Sequence, residues 1–471
     1  MVFNSIDFLV FFPLVTFLYF VTNHQFRWLV LLIASCVFYM AFMPVYILIL
    51  LVTIVVDYYA GILIENALVQ HKKKYLIISI FANIGFLFIF KYYNFFVENF
   101  NLLLGIQYEL PYWKIIFPIG LSFHTFQALS YTFEVYRGNQ KAEKHFGIYA
   151  LYVMFYPQLV AGPIERPQNL LHQFRAKHDF NSRLFIEGLR LMIWGFFKKM
   201  VIADRAGIYV DAIYNNPTSF SSLSVLLAIF LFSIQIYCDF SGYSDIAIGA
   251  AKTMGFDLMI NFRRPYFSSS IKEFWARWHI SLSTWFRDYL YIPLGGNRVE
   301  QSRIYVNTFI VFCVSGLWHG AKWTFIVWGG IHALLIVSQL FLEKNKLLPK
   351  ADHVFKKILF QVLCFLLVSF IWVFFRANSL EQVSTIFQQL LSFKSGIKLS
   401  VEHQLNVFSS FSLVILICSI LFMGIVEFKF SESLTELNLK KNTDFVISTF
   451  AIVLILCFGI YAKTSFIYFQ F

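Results

Sequence analysis

Apolar runs that read as membrane spans, some of them short, recur from one end of the chain to the other. They fall near 7–22, 28–41, 44–63, 76–98, 114–134, 146–162, 184–210, 222–250, 303–319, 323–343, 357–375, 406–426 and 444–462. A helix needs roughly 20 apolar residues to span the hydrocarbon core. In lipid every backbone N–H and C=O must find its partner inside the structure, which favours helices. Composition agrees, since 59% of the 471 residues are hydrophobic and only 14% are charged, against about 25% in soluble domains. A soluble chain has too few charges here to cover so much apolar surface. The expected fold is all-α and polytopic, with about 11–13 transmembrane helices. Neither a repeat nor a low-complexity linker divides the sequence, so a single membrane domain over residues 1–471 is expected. The run at 114–134 contains Pro118 and Gly120. A broken or re-entrant segment is expected there, which lipid permits only where protein covers the loosened backbone.

Charge orients the spans. The net charge is +12, and Lys and Arg collect on cytoplasmic loops. His71-Lys72-Lys73-Lys74 reads as a loop after the third span, and Arg137 to Lys144 follows the fifth. Arg263 to Arg298 and Lys344 to Lys357 are further basic stretches, whereas Glu98–Trp113 holds Glu98 and Glu109 and no base. Basic loops in the cytoplasm put the N-terminus outside. Met1 to Val21 carries Asp7 and no Lys or Arg, so it reads as a retained helix and not as a cleaved signal. The positive charge also suits anionic lipid or an anionic ligand. Nucleic acid is not expected, because no recognised binding motif accompanies the charge. Cys36, Cys238, Cys313, Cys364, Cys418 and Cys457 are scattered in apolar runs. They read as buried hydrophobes, neither disulfides nor metal ligands.

The stretch 261–298 is too charged to span and too aromatic for an ordinary loop. Ile271, Phe274, Trp275, Trp278, Leu282, Trp285, Phe286 and Tyr289 share one helical face. Lys272, Glu273, Arg277, Arg287 and Asp288 lie mostly elsewhere. The pattern predicts an amphipathic helix that lies at a membrane surface or docks on a bundle, stopped by Pro293 and Gly295-Gly296.

Four of the eleven histidines, His124, His279, His319 and His332, stand in apolar or aromatic surroundings. An ionisable group at membrane depth is costly and is a functional candidate for that reason. The plainer alternative is a neutral imidazole bonded to a carbonyl or hydroxyl. His319 is the strongest candidate. It is flanked by Gly316 and Gly320, which let backbone or substrate approach closely, and by Trp318 and Trp323, which read as walls. Imidazole suits the removal of a hydroxyl proton near neutral pH. His279, at the edge of the aromatic face, reads as a group that orients substrate. Asp239 and Asp245 lie six apart and off one helical face. They read as structural partners of arginines from 261–298. Asn261-Phe262-Arg263-Arg264-Pro265 reads either as an anion site or as topological charge. The sequence holds no serine-hydrolase, nucleotide-binding-loop or zinc-protease signature.

The motifs in order are Met1-Val2-Phe3-Asn4-Ser5, Pro118-Ile119-Gly120-Leu121-Ser122-Phe123, Gln127-Ala128-Leu129-Ser130-Tyr131 and Pro157-Gln158-Leu159-Val160-Ala161-Gly162-Pro163-Ile164. Asp239-Phe240-Ser241-Gly242-Tyr243-Ser244-Asp245 and Phe274-Trp275-Ala276-Arg277-Trp278-His279-Ile280-Ser281-Leu282-Ser283 continue them. Tyr289-Leu290-Tyr291-Ile292-Pro293-Leu294-Gly295-Gly296-Asn297-Arg298, Gly316-Leu317-Trp318-His319-Gly320 and Phe374-Phe375-Arg376-Ala377 complete the series. Together they resemble the membrane-bound O-acyltransferase family over nearly the whole chain. Within it the chain is most similar to the bacterial branch that serves alginate, peptidoglycan and teichoic acid. The resemblance implies a ring of helices around a thin, pierced centre, in the bacterial inner membrane. It implies His319 as the catalytic histidine and His279 as the second signature histidine. Acetyl-CoA is then the expected cytoplasmic donor substrate, with no resident cofactor and no metal. Arg263, Arg264, Arg277 and Trp318 are the candidate donor contacts. The acceptor is expected to be an extracytoplasmic polysaccharide, reached with a separate extracytoplasmic SGNH-type partner. Ala276 stands where relatives often carry Arg, which weakens any paired-arginine grip at that point. His124 stands where aromatics are common and reads as lining. Two other functions fit such a chain: D-alanyl transfer to teichoic acid, and a transporter or flippase that transfers nothing.

Overall fold

The computed structural model describes residues 1–104, 110–113, 117–118, 120–160, 162–347, 353–393, 410–430, 441–461 and 466–467. Glu109, Ile119, Ala161, Lys350 and His403 lie outside the described residues. Among the described residues the chain is helical, with no strand. Its helices in order are α1 (Ile6–Val21), α2 (Arg27–Met40), α3 (Ile47–Asn66), α4 (Val69–Leu87), α5 (Tyr93–Leu104), α6 (Leu121–Arg137), α7 (Phe146–Met154), α8 (Tyr156–Leu159), α9 (Pro167–Leu170) and α10 (Ser182–Phe196). Then follow α11 (Asp204–Asn215), α12 (Ser222–Thr253), α13 (Ile271–Arg277), α14 (Ile280–Phe286), α15 (Gln301–His319), α16 (Trp323–Lys344), α17 (Val354–Arg376), α18 (Leu380–Leu391), α19 (Ser410–Phe430) and α20 (Lys441–Phe458). Wide π-turns at Phe88–Tyr92 and Phe197–Ala203 join successive helices, and one at Arg287–Tyr291 extends α14.

By length and composition six described segments suffice to cross a membrane: Pro44–Asn66, Val69–Leu103, Ser222–Thr253, Trp323–Lys344, Val354–Arg376 and Phe411–Lys429. Ile6–Val21, His24–Met40 and Thr443–Phe458 are shorter apolar helices. Burial runs opposite to that of a soluble protein. Helix α3 turns Leu48, Leu51 and Val52 outward and buries Thr53 and Asp57. Lipid is as apolar as leucine, so what goes inside is whatever must be hydrogen-bonded. The architecture is all-α and polytopic.

The chain divides into two compact units, Met1–Met192 with Ile246–Met259, and Ile193–Asp245 with Ile260–Phe471. In the first, Asp57 accepts from Ser79 Oγ at 2.5 Å and from Asn83 Nδ2 at 2.8 Å. Ser79 also reaches Thr132 Oγ1 at 3.1 Å, so α3, α4 and α6 share one polar knot. The expected break before α6 is present: Gly120 takes φ +81°, and α6 starts directly after it. The second unit holds the segments that matter below.

Two sequence expectations are corrected. His71-Lys72-Lys73-Lys74 is not a loop, because the four residues lie in the opening turns of α4. Their long stems suit a helix end near an interface, where charged heads reach water. The single amphipathic helix expected over 271–289 is two short helices, α13 and α14, broken at Trp278–His279. Its aromatic face docks inside protein, with Phe274, Trp278, Leu282, Trp285, Phe286 and Tyr289 buried.

Candidate active site

The break between α13 and α14 is built by its neighbours. Ser270 Oγ accepts the Glu273 N–H, and the Glu273 carboxylate reaches back to the Ser269 N–H at 2.7 Å. That reciprocal cap starts α13. Two backbone bonds then stop it: the Arg263 N–H donates to Arg277 O at 3.0 Å and the Ile280 N–H to Asn261 O at 2.9 Å. They clamp 261–263 across 277–280, and His279 between them is forced to φ +44°, ψ +54°. A non-glycine residue in this left-handed region costs roughly 1–2 kcal/mol. Such strain persists where surrounding structure imposes it, often at functional sites. Trp278 anchors the clamp, its ring packed on Phe262, Phe274 and Trp372.

The bend turns the His279 ring inward, edge-to-face on Phe240 at 4.5 Å. Its Nδ1 lies 3.3 Å from Asn261 Oδ1. Burial holds this imidazole well below its usual pKa, and the charge of His319 acts in the same direction. His279 and His319, forty residues apart in sequence, are both buried in the second unit.

His319 is the last residue of α15. Of the two close approaches the glycines around it allow, by backbone or by substrate, the structure shows the first. A Cβ on Gly316 would sit 2.2 Å from the Phe325 carbonyl oxygen, and one on Gly320 2.1 Å from the Phe325 ring. They let α15 and α16 meet at backbone distance. The His319 ring meets Trp328 edge-on at 5.3 Å and Phe375 at 5.4 Å. Trp323 is 53% exposed, and Trp318 is half-buried. Nothing in the sequence distance between 319, 328 and 375 announced that grouping. It follows from α15, α16 and α17 packing together.

The motif 239–245 on α12 is a series of alternate contacts. Asp239 Oδ1 pairs with Lys199 at 2.6 Å, and Phe240 meets His279. Ser241 Oγ accepts from Lys198 at 2.8 Å, Ser244 Oγ accepts from Asn261 Nδ2 at 3.2 Å, and Asp245 pairs with Lys198 at 2.7 Å. The cationic partners of the two aspartates are thus lysines of the π-turn 197–203, not arginines of 261–298. A π-turn widens the helix and aims two consecutive lysines at the same neighbouring helix. Lys198 and Lys199 sit inside the apolar run 184–210, where a charge is itself a signal. The sequence reading passed over them.

The expected donor contacts are spread. Arg264 Nη1 donates to Glu427 O at 2.8 Å, tying its loop to the end of α19. Arg277 pairs with Glu273 at 2.8 Å, and Arg263 is exposed. The other two candidate histidines have the plainer role. His332 Nδ1 accepts from Trp275 Nε1 at 3.3 Å, and His124 Nε2 meets Thr53 Oγ1 at 2.5 Å in the first unit. No group of three or more His, Cys, Asp or Glu with metal-binding geometry occurs among the described residues.

Residues 144–345, which include His279 and His319, match the family model described as MBOAT, membrane-bound O-acyltransferase family. The probable alginate O-acetylase of Pseudomonas aeruginosa is 39% identical over 400 residues, which is 83% of this chain and 75% of that protein. The chain belongs to the membrane-bound O-acyltransferase family. It is an acyltransferase and a multi-pass membrane protein. The peptidoglycan O-acetyltransferase of Helicobacter pylori is 36% identical over 77% of this chain and 73% of its own length. A teichoic acid D-alanyltransferase of Bacillus subtilis is 31% identical over 50% and 62%. In this O-acyltransferase the matched region contains α13 to α16, the elements that carry His279 and His319.

Proposed function

We propose that the chain moves acetyl from a cytoplasmic thioester, acetyl-CoA, to a hydroxyl of an extracytoplasmic cell-envelope polysaccharide, directly or through an extracytoplasmic partner protein. The observation that carries this reading is the presence of two buried histidines, one on the strained bend between α13 and α14 and one at the end of α15, in the matched region. The relatives that span most of the chain are named for O-acetylation, while the D-alanyltransferases align over half of it. That difference favours acetyl over D-alanyl transfer.

In the proposed reaction His319 takes the proton of the acceptor hydroxyl as its oxygen attacks the thioester carbonyl. The C–O bond forms, the C–S bond breaks, and the CoA thiolate leaves and is reprotonated. A positioned base supplies roughly 10²–10⁴-fold. Trp328 and Phe375 fix the ring against rotation, and the dry aromatic wall strengthens each polar contact at the reacting carbonyl. His279 orients the reacting groups. Of the three candidate arginines Arg263, Arg264 and Arg277, Arg263 is the exposed one and is placed to meet donor phosphates. Arg264 and Arg277 hold the loop through Glu427 O and Glu273. Trp318, one residue before the base, borders the donor.

The test is His319→Ala in cells that make the envelope polymer. Base-labile acetyl on the isolated polymer should fall by at least about 100-fold, with the protein still present in the membrane fraction. Wild-type ester content in that variant would sink the proposal.

A further inference from the structure

His279 hangs on a strained bend, so its ring needs a partner that decides which nitrogen carries the proton. Asn261 is built for that. Its Oδ1 faces three groups: Ser281 Oγ at 2.6 Å, the Ser281 backbone N–H at 3.4 Å and His279 Nδ1 at 3.3 Å. Its Nδ2 faces Ser244 Oγ at 3.2 Å, and its backbone oxygen accepts the Ile280 N–H. The side-chain amide has two possible orientations, and the Ser281 N–H chooses between them. A backbone N–H only donates, so the atom facing it must be the oxygen. An oxygen accepts only, so His279 Nδ1 must carry the proton to bond it. The lone pair then resides on Nε2.

Asn261 itself is buried and held from both sides. Ser244 belongs to the α12 motif, whose Ser241 and Asp245 are gripped by Lys198. The network therefore runs from Lys198 through α12 to Asn261 and ends at the imidazole. The charge of His319 acts on His279.

We propose that Asn261 is the positioning residue of the acyl transfer: it fixes the tautomer and direction of His279 and so presents Nε2 to the reacting groups. This rests on the reading in which His279 serves the reaction. Partners of this kind typically govern about 10–100-fold in activity.

The experiment uses membrane vesicles from cells making the full-length chain and its polymer, with the cytoplasmic face outward. They are given radiolabelled acetyl-CoA, and base-labile acetyl in polymer is counted across pH. Asn261→Leu removes the acceptor and should lower kcat by roughly 10–100-fold, with KM for acetyl-CoA within about twofold. Asn261→Asp keeps the oxygens in place and should recover most of the rate. Its carboxylate favours the imidazolium, so the rising limb of the pH–rate profile should move to higher pH. His279→Ala is run alongside. If His279→Ala is inactive while Asn261→Leu keeps the wild-type kcat and pH profile, the positioning role is overturned and the enzyme reading stands. If His279→Ala keeps full activity, the role assigned to His279 fails and that of Asn261 fails with it. Should Asn261→Leu not accumulate, Asn261→Asp decides alone, since a profile superimposable on wild type overturns the proposal.

Discussion

Glu165 shows how burial sets a side chain's charge. It lies in the first unit, between α8 and α9, with no solvent exposure. Its carboxyl accepts the Met259 N–H, and its own N–H donates to Gln127 Oε1 at 2.9 Å. Burial pushes its pKa up to about 8 from an ordinary 4.5. The folded state thus binds a proton that the unfolded chain has already released between those two values. Stability linked to this group is complete below pH 4.5 and is lost as pH rises through about 8. Glu165→Gln keeps the oxygen for Met259 and removes the titration. Thermal unfolding in detergent, scanned from pH 5 to 8, should therefore fall more steeply for wild type than for the variant. Parallel curves would show that Glu165 is charged in the fold. At this scale the sequence is hard to read. His319 stood out through its neighbours in the chain, whereas Asn261 looked like the start of a basic run. Its role depends on Ser281 and Ser244, twenty and seventeen residues away, and only the folded clamp brings them together.

Among elements, helix existence was legible, and helix interruption only where Pro118 and Gly120 announce it. The apolar runs named α1 to α3, α12, α16 and α17 to within about three residues, because lipid demands a continuous apolar length. The break at His279 was invisible, since the aromatic face continues in phase through it and the clamp comes from 261–263. The pairing of α15 with α16 was half legible: the glycines announce a close approach by backbone or substrate, and only the fold shows that backbone makes it. Substitution by alanine separates the two purposes. Gly316→Ala drives a Cβ to 2.2 Å from a backbone oxygen, and overpacking of that kind costs roughly 1–3 kcal/mol. It should lower the unfolding temperature and, by shifting His319 from Trp328, the acetyl transfer as well. Gly424, on α19, has no atom within 4 Å of its would-be Cβ. The same change there should be neutral, or stabilising by up to about 1 kcal/mol from helix propensity. Shifts of the same sign and size in both variants would refute close packing as the reason for Gly316.

For the whole molecule, lipid reverses the usual relation between core and surface, and charge becomes the scarce internal resource. Lys198 is 3% exposed, yet it meets Asp245, Ser241 and the face of Tyr237. Lys199, beside it, bridges Asp204 and Asp239. A buried ion pair adds little net stability over apolar residues of equal volume, but removing one partner strands the other charge at about 3–5 kcal/mol. The two cases give different results for the same salt bridge. Lys198→Met leaves Asp245 unpaired beside Ser241. It should reduce membrane abundance and lower the unfolding temperature in detergent. Lys198→Met with Asp245→Asn removes both charges together and should recover most of that stability. Acetyl transfer should recover less than stability does, because the α12 contacts that hold Ser244 against Asn261 lose their ionic anchor. Stability that falls equally in the single and double variants would mean that packing at residue 198, and not charge, holds this part of the fold. Recovery of stability together with full activity would detach the lysine network from the histidine it leads to.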